Sequence, residues 1–288
     1  MEQFKRAKVV MLSTKEKATI GDLGLSINVL TFAKNNYSVM EERYSRNRLY
    51  VSELEQSIIK DYQIFLGGAG IGSIVAECAL RFGFEHITIV DGDKVERSNL
   101  NRQNYAEKDI GRYKAECLAE RLSSINPNAQ IDYHTEFLTP DNIEEMLNGH
   151  DVAINALDFK DKTPFVFDKI CKERKIPVLH PYNFGWAGFV TVVDPLGHTI
   201  SELADEPKGF ELKVAEYVTG HGAFWNQPKE WLDKIVTQYR EESEMLPPPQ
   251  LSIASWIAAG LCTTAMYNLA TGKPVNYFPK FYLSSLLP

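Results

Sequence analysis

Residues 63–91 read QIFLGGAGIGSIVAECALRFGFEHITIVD, and this stretch decides the fold. The apolar run at 63–66 predicts a short buried strand, and residues 71–82 have the apolar period of a helix that ends before Gly83. The run at 86–90 predicts a second strand. A strand, a glycine-rich turn, a helix and a parallel strand are typical of α/β folds whose first turn binds phosphate.

The alternation of strands and helices continues on both sides of this unit. Strands that alternate with helices indicate a parallel sheet joined by right-handed crossovers. We therefore predict an α/β fold, a doubly wound, mostly parallel, Rossmann-like sheet with helices on both faces. Further helices are predicted at 52–60, 111–125, 140–147 and 164–175, and further strands at 131–134, 152–157 and 177–179.

After His180 the alternation stops. Two apolar runs within residues 7–33 are consistent with a small hairpin. The chain is therefore divided into an N-terminal extension or small subdomain at 1–40 and a main domain at 41–288, with a variable insertion at 197–249. Within the later part, strands are predicted at 188–194 and 277–283 and helices at 229–242 and 251–270, whereas 197–227 shows no clear period.

The composition is that of a soluble globular protein. The 288 residues are 44% hydrophobic and 24% charged, and the formal net charge of −7 argues against a broad nucleic-acid-binding face. The apolar segment 251–270 contains Ser, Thr and Asn, and is predicted to be a buried or interface helix rather than a membrane span. The four cysteines form no C-x-x-C pair, which argues against a disulfide framework and indicates a reducing, cytoplasmic location.

The glycine-rich turn is a candidate phosphate-binding site. Gly68, Gly70 and Gly72 allow backbone N–H groups and the start of a helix to approach an anion. Neither register of the turn matches the G-x-G-x-x-G pattern in full, and in one of them Ala69 takes the place of the middle glycine. Asp91 follows the next strand, where a carboxylate can accept hydrogen bonds from ribose hydroxyls. A tight turn without a ligand and a solvated acid are the alternatives.

The segment after the second strand separates two kinds of nucleotide chemistry. A dehydrogenase has no particular need for Asn99, Arg102 and Gln103 there, whereas an adenylating enzyme does. When a carboxylate attacks the α-phosphate of ATP, negative charge grows on phosphorus and on the departing pyrophosphate, and fixed cations stabilise it. The planar guanidinium of Arg102 pairs well with phosphate oxygens. Asp93, Asn99 and Gln103 are predicted to bind the nucleotide, and Lys114 adds a point charge.

Asp158 is a candidate ligand for magnesium. It follows the apolar run 152–157 and is therefore expected at the carboxyl edge of the sheet, where ligands of doubly wound folds bind. Mg²⁺ takes few protein carboxylates and is otherwise bound by phosphate oxygens and water. Asp161 is a near competitor, and a plain helix N-cap is the alternative role for Asp158.

These residues resemble the superfamily of enzymes that activate ubiquitin-like proteins, in its bacterial ThiF/MoeB/HesA branch. The similarity runs from Arg43 to about Pro181, with a weaker match at 250–274. The resemblance implies a homodimer that uses ATP and Mg²⁺ to adenylate the C-terminal carboxylate of a small carrier protein or peptide, often one that ends in Gly-Gly. It also implies that Gly70 and Gly72 bind phosphate, that Asp91 binds ribose, that Asn99, Arg102, Gln103 and Lys114 surround the phosphates, that Asp158 holds Mg²⁺ and that Arg46 reaches into the neighbouring subunit's site.

Three departures from the family pattern bear on function. Ala69 stands where relatives usually have glycine, so the turn is expected to hold phosphate less closely. The two C-x-x-C pairs of many relatives are missing, so no zinc is expected. No cysteine lies between His180 and Gln250, where thioester-forming relatives have theirs, so activation is expected to stop at the acyl-AMP.

Two other functions stay open at this point. The glycine turn and Asp91 are also expected in an NAD-dependent oxidoreductase, although residues 99–103 are not. Ala69 alone suggests a non-catalytic nucleotide-binding dimer. The acyl substrate is left open between a sulfur-carrier protein, a peptide precursor and a modified nucleoside, and residues 1–40 and 197–249 are expected to determine it.

Overall fold

The computed structural model describes residues 41–227, 229–242, 246–285 and 287, so the extension and the hairpin predicted within 1–40 lie outside the described residues. The strands are β1 (Gln63–Gly67), β2 (His86–Val90), β3 (Gln130–His134), β4 (Val152–Asn155), β5 (Val178–Phe184), β6 (Ala187–Val193) and β7 (Tyr282–Ser285). They form one sheet in the order β3-β2-β1-β4-β5-β6-β7. The first five strands are parallel, and β6 and β7 add antiparallel at one edge.

Helices cover both faces of this sheet. The α-helices are α1 (Glu53–Lys60), α2 (Gly72–Phe82), α3 (Lys114–Ile125), α4 (Ile143–Met146), α5 (Thr163–Glu173), α6 (Phe210–Phe224), α7 (Glu230–Arg240) and α8 (Ser252–Thr271). The buried residues of α2, α3 and α8 form one core with the sheet, and those of α4 to α7 form a second core on its other face. The predicted doubly wound, mostly parallel sheet with helices on both faces is confirmed.

The side chains of the central strand alternate between the two cores. Ile64 and Leu66 of β1 belong to the core under α2 and α3, whereas Phe65 belongs to the opposite core. All three are at most 1% exposed. A parallel strand that is buried on both faces needs an unbroken apolar run, which explains why residues 64–66 carry no polar side chain.

Local sequence signals set the ends of the helices around the first turn. Ser52 and Glu55 form a capping box that starts α1, in which the Ser52 hydroxyl accepts from Glu55 N–H at 3.2 Å. Gly83 ends α2 with a φ of 127°, a conformation that L side chains rarely adopt. These two signals fix the helices that flank β1.

The carboxyl ends of three neighbouring strands bring the candidate site residues together. In the parallel register Gly67 of β1 lies beside Val90 of β2 on one side and Asn155 of β4 on the other. The glycine turn, Asp91 and the residues after β4 therefore leave the sheet at the same edge, which is where ligands bind in doubly wound folds.

Several predicted boundaries are wrong. Helix α3 begins at Lys114 rather than at Gly111, because Gly111 has a φ of 84° and ends a separate turn. Strand β5 continues to Phe184, well beyond the predicted 177–179. Helix α6 was missed, since residues 197–227 show no clear period; its buried side chains are Phe210, Val214, Ala215 and Val218. Helix α4 and strand β7 are shorter than, or displaced from, the predicted 140–147 and 277–283.

Helix α8 follows the predicted segment 251–270 closely. By length and composition this helix could cross a membrane, and 44% of its apolar window is buried inside the protein. Its buried side chains, among them Ala258, Cys262 and Met266, belong to the core formed with α2 and the sheet. The helix therefore contributes to the protein core, as expected for a buried or interface helix.

We expect Gly68→Ala to destabilise the protein more than Gly111→Ala. Both glycines have a positive φ, 93° and 84°, but only at Gly68 would an added Cβ collide with another group, the carbonyl oxygen of Ala156. The conformational strain shared by both variants costs about 1–2 kcal/mol, and the collision should add about 1–3 kcal/mol at Gly68. Urea unfolding of both variants measures the difference, and equal losses would show that the turn does not need close contact with β4.

Candidate active site

The glycine turn joins β1 to α2 by close backbone approaches. Gly68 N–H donates to Val90 O at 2.9 Å, so the turn stays attached to β2. A Cβ on Gly72 would lie 2.7 Å from Leu66 Cδ1, so this glycine lets α2 pack directly on β1. A Cβ on Gly70 would lie 3.4 Å from Gln103 Nε2. Ser73 and Ile74 N–H already donate to Gly70 O and Ile71 O, so among the described residues the N–H groups just before them are the ones that can face an anion.

Ala69 has a structural part in the same turn. Its N–H donates to Asp91 Oδ2 at 2.6 Å, and its carbonyl oxygen accepts from the Tyr105 hydroxyl at 2.7 Å. The residue is fully buried and belongs to the core under α2. Its methyl group therefore does not stand at the accessible surface of the turn, which removes the physical reason to expect a looser hold on phosphate.

Asp91 connects the turn to the next loop. Its second oxygen, Oδ1, accepts from Asp93 N–H at 2.7 Å. Burial raises the pKa of the Asp91 carboxyl, and the nearby Lys114 ammonium acts in the opposite direction. Lys114 is buried at the start of α3, and its Nζ lies 3.0 Å from Asp93 Oδ2. The predicted residues Asp91, Asp93 and Lys114 are thus brought together beside the turn.

Arg102 is held by contacts from two parts of the chain. Its Nη1 donates to Ser98 O at 2.8 Å, and its Nε donates to the Gln250 side-chain oxygen. Burial lowers the pKa of the Arg102 guanidinium, and the nearby Asp158 carboxylate acts in the opposite direction. Arg102 and Asp158 therefore lie close enough to interact, although 56 residues of chain separate them.

Asn99 and Gln103 occupy different positions relative to the turn. The Asn99 side chain is buried, and its Oδ1 accepts from Glu96 N–H at 2.9 Å, which stabilises the short 3₁₀ turn at 97–99. Gln103 lies against Gly70, and its buried Oε1 has no hydrogen-bond partner among the described residues. Gln103 is therefore available to a ligand at the turn, whereas Asn99 already serves the loop.

Asp158 and Asp161 differ in exposure and in their hydrogen-bond partners. The Asp158 side chain is 67% exposed, and its carboxylate pairs with Lys160 Nζ at 3.0 Å. Asp161 Oδ1 instead accepts from Thr163 N–H at 2.7 Å, at the start of α5. Within the described ranges no group of three or more His, Cys, Asp or Glu side chains could hold a metal by themselves. Asp158 fits Mg²⁺ as a single protein ligand that shares the ion with phosphate and water.

Arg46 lies away from these residues. It belongs to the 3₁₀ helix Glu42–Asn47, whose Asn47 donates to Phe82 O at 2.9 Å, at the C-terminal end of α2. The glycine turn is at the other end of α2, which has 11 residues and therefore a length of about 16 Å. The Arg46 side chain is exposed, and it forms no hydrogen bond or ion pair with the described residues. It lies outside the cluster that the other predicted site residues form.

A cavity of about 430 Å³ adjoins the glycine turn. Ile71 of the glycine turn, Asp158 and Gln250 line it on that side. The rest of its wall comes from β5, α6, α7 and the residues before α8, and most of these side chains are apolar. Pockets of about 300–1,000 Å³ with mostly apolar walls are typical of small-molecule sites.

Three residues of the site were missed by the sequence interpretation. Tyr105 holds the carbonyl of Ala69, Gln250 holds Arg102, and Lys160 pairs with Asp158. Lys160 had a detectable signal, since it is a cation two residues after the predicted metal ligand. The contacts of Tyr105 and Gln250 join segments far apart in the chain, and no local pattern indicates them.

Comparisons with known proteins agree with this arrangement. tRNA threonylcarbamoyladenosine dehydratase of Escherichia coli K12 is 34% identical over 160 residues, which cover 54% of this chain and 57% of that protein. SAMP-activating enzyme E1 of Haloferax volcanii is 28% identical over 160 residues, covering 54% of this chain and 59% of that protein. The matched part of the chain thus spans less than two thirds of these relatives.

Solved structures share the fold at lower identity. Escherichia coli MccB has been solved with ATP and with AMPCPP and MccA, and these structures superpose with TM-scores of 0.62 and 0.63. They are 17% and 18% identical to this chain and cover 90% of it and 77% of MccB. A family model described as the ThiF family matches residues 44–287, which is most of the sequence. The chain therefore belongs to the ThiF family.

Proposed function

We propose that this protein is a cytoplasmic, homodimeric enzyme that uses ATP and Mg²⁺ to adenylate a carboxylate, giving acyl-AMP and pyrophosphate without a cysteine thioester. The substrate carboxylate is the C-terminus of a small carrier protein or peptide. One observation carries the proposal. Asp91 links the glycine turn to Asp93 and Lys114, while Arg102 and Asp158 lie near each other at the same sheet edge. MccB, which shares the fold, has been solved with ATP.

The proposed reaction needs positioned cations rather than a general base. A carboxylate is already anionic at neutral pH, so its oxygen can attack the α-phosphorus directly while the bond to pyrophosphate breaks. Arg102 and Lys114 stabilise the negative charge that grows on the phosphates, because their positions are fixed by Gln250 and Asp93. Mg²⁺, held by Asp158, would neutralise further phosphate charge when bound.

The two alternative functions lose support. An NAD-dependent oxidoreductase gives no role to Arg102 beside Asp158, or to Gln103 against Gly70. The non-catalytic dimer rested on Ala69 alone, and the methyl group of Ala69 is buried away from the accessible surface of the turn. Both alternatives nevertheless predict distinct ligand responses, which the first experiment below measures.

A modified nucleoside in tRNA is the second candidate substrate. Its support is that three relatives, with identities from 29% to 34%, are named tRNA threonylcarbamoyladenosine dehydratase. The formal net charge of −7 weighs against it, because tRNA binding relies on a basic face. Tight tRNA binding that weakens steeply with salt would favour this substrate over a carrier protein.

MgATP should stabilise the protein, and NAD should not. A ligand at 100 times its dissociation constant adds about 2.7 kcal/mol to the free energy of unfolding, which a thermal melt detects.

We expect Arg102→Ala to reduce adenylation by about 10²- to 10³-fold, measured by ATP–pyrophosphate exchange with the carboxylate substrate, because a fixed donor to the transition state is lost.

Arg97→Ala is the matched control for Arg102→Ala. Arg97 lies five residues earlier in the same segment, but its side chain is 76% exposed and pairs with Glu107. Its loss should leave MgATP stabilisation and exchange unchanged. Stabilisation by NAD and not by MgATP would instead make the oxidoreductase the better interpretation.

Asp158→Ala and Asp161→Ala should separate metal binding from the local turn at the start of α5. Asp158→Ala removes only an exposed ion pair, worth about 0–1 kcal/mol. It should nevertheless abolish the extra thermal stability that the protein gains when Mg²⁺ is added together with ATP. Asp161→Ala should cost about 1 kcal/mol through the lost hydrogen bond to Thr163 N–H, and should keep the Mg²⁺ effect. Thermal melts with ATP, with and without EDTA, test both; a Mg²⁺ effect lost only in Asp161→Ala would assign the metal to Asp161.

Mixing two inactive variants tests the homodimer and the role of Arg46. If Arg46 acts in the neighbouring subunit's site, Arg46→Ala and Arg102→Ala are each inactive, but their mixed dimer has one complete site. Random reassociation should then restore roughly a quarter of the wild-type exchange activity. Full activity of Arg46→Ala alone, or no recovery on mixing dimeric variants, would exclude this role for Arg46.

A further inference from the structure

The cavity next to the phosphate region has an accessible apolar wall. Trp186 is 44% exposed, Ile235 41% and Leu251 37%, and all three line it. They come from the turn after β5, from α7 and from the chain just before α8, so the wall is assembled from distant segments. Covering such apolar surface with a ligand is favourable at about 25 cal/mol per Å².

Two lining residues carry buried hydrogen-bonding atoms that lack a partner. Tyr182 is 8% exposed, and neither its hydroxyl nor the indole Nε1 of Trp231 has a hydrogen-bond partner among the described residues. An unpaired buried donor costs about 1–3 kcal/mol, so such groups are expected to meet a ligand. Both can donate to an acceptor on a molecule bound in the cavity.

The charged groups of the cavity are all acidic. Asp158 and Glu211 line it, and no Lys, Arg or His is among its described lining residues. Burial raises the pKa of the Glu211 carboxyl, and Asp158 acts in the same direction. Glu211, on α6, would therefore disfavour a carboxylate on its side of the cavity, whereas Gln250, on the side of the glycine turn, accepts a hydrogen bond from the guanidinium of Arg102.

From these features we propose that the cavity binds the acyl end of the substrate. The residue that bears the reacting carboxylate then carries a bulky, uncharged side group, about the size of an aromatic ring, with one hydrogen-bond acceptor. The reacting carboxylate lies at the Gln250 rim, next to Arg102, and the side group fills the apolar interior. This inference rests on the proposed adenylation. It narrows the substrate, since a glycine terminus has no side chain to occupy this space.

N-acetylated amino acids are suitable probes, because they keep the free carboxylate and vary only the side group. N-acetyl derivatives of glycine, aspartate, phenylalanine and tyrosine should be compared by Trp fluorescence and thermal shift without ATP, and by ATP–pyrophosphate exchange with MgATP. Full burial of an aromatic side chain should favour phenylalanine over glycine by about 10- to 150-fold. Aspartate should bind no better than glycine. Equal responses, no binding of any probe, or a preference for glycine or aspartate would overturn the proposal.

Cavity variants keep the test specific. Ala215→Phe fills the cavity from α6, where Ala215 is 6% exposed, and should abolish the aromatic preference. Ala223→Phe is the control, since Ala223 is exposed at the end of the same helix. If Ala215→Phe fails to fold, Tyr182→Phe is the second variant. It removes only the hydroxyl, so it should weaken the binding of N-acetyltyrosine relative to N-acetylphenylalanine by about two- to tenfold. An unchanged preference in a folded variant argues against the cavity.

The same experiment separates this inference from the proposed adenylation. MgATP stabilisation that depends on Arg102, without any aromatic preference, would keep the adenylation and exclude this substrate class. Aromatic binding to the free protein without any MgATP effect would keep the cavity as a ligand site and exclude the adenylation. A peptide that ends in phenylalanine distinguishes two sources of the same chemistry: tighter binding than N-acetylphenylalanine assigns a chain terminus, and equal binding assigns a free acid.

Discussion

The two hydrogen bonds accepted by the Asp91 carboxylate determine the arrangement of the candidate active site. One oxygen holds the glycine turn through Ala69 N–H, and the other holds the following loop through Asp93 N–H, at 2.6 and 2.7 Å. Asp93 in turn orients Lys114, which the chain would otherwise leave as a mobile helix lysine. A half-buried carboxylate that accepts two backbone hydrogen bonds is held in one position, and an electrostatic site needs fixed groups before its ligand arrives.

The strand ends and the glycine turn could be predicted from the sequence because their signals are local. The apolar run 63–66, the glycines after it and the acid after residue 90 occur within one supersecondary unit, and the parallel order then brings their ends together. Helix α6 and the cavity could not be predicted in this way. The buried face of α6 packs against α7 and the sheet, so tertiary contacts rather than a clear sequence period define it.

The structure also shows which polar groups of the candidate site already have partners within the protein and which do not. Asn99 is predicted from the sequence to bind the nucleotide, and its Oδ1 already accepts from Glu96 N–H within a 3₁₀ turn. Ala69 is expected from the sequence to loosen the hold of the turn on phosphate, yet both polar backbone groups of Ala69 are engaged and its methyl group is in the core. Residue type and spacing alone do not distinguish these roles, because the partners are fixed only by the fold. Gln103 is the opposite case, since it lies against Gly70 with a buried oxygen still unpaired.

In the proposed reaction, the contact between Arg102 and Gln250 couples substrate recognition to the chemistry. Arg102 is held by a side chain that also lines the cavity, from the proline-rich segment just before α8. A group that binds in the cavity and touches Gln250 therefore acts on the position of the guanidinium. Binding energy from a part of the substrate that does not react can in this way be used to orient a group that stabilises the transition state. A carboxylic acid without a side group would reach the same phosphorus but would lack this contribution. Removal of the side group should therefore lower the rate of adenylation as well as the affinity.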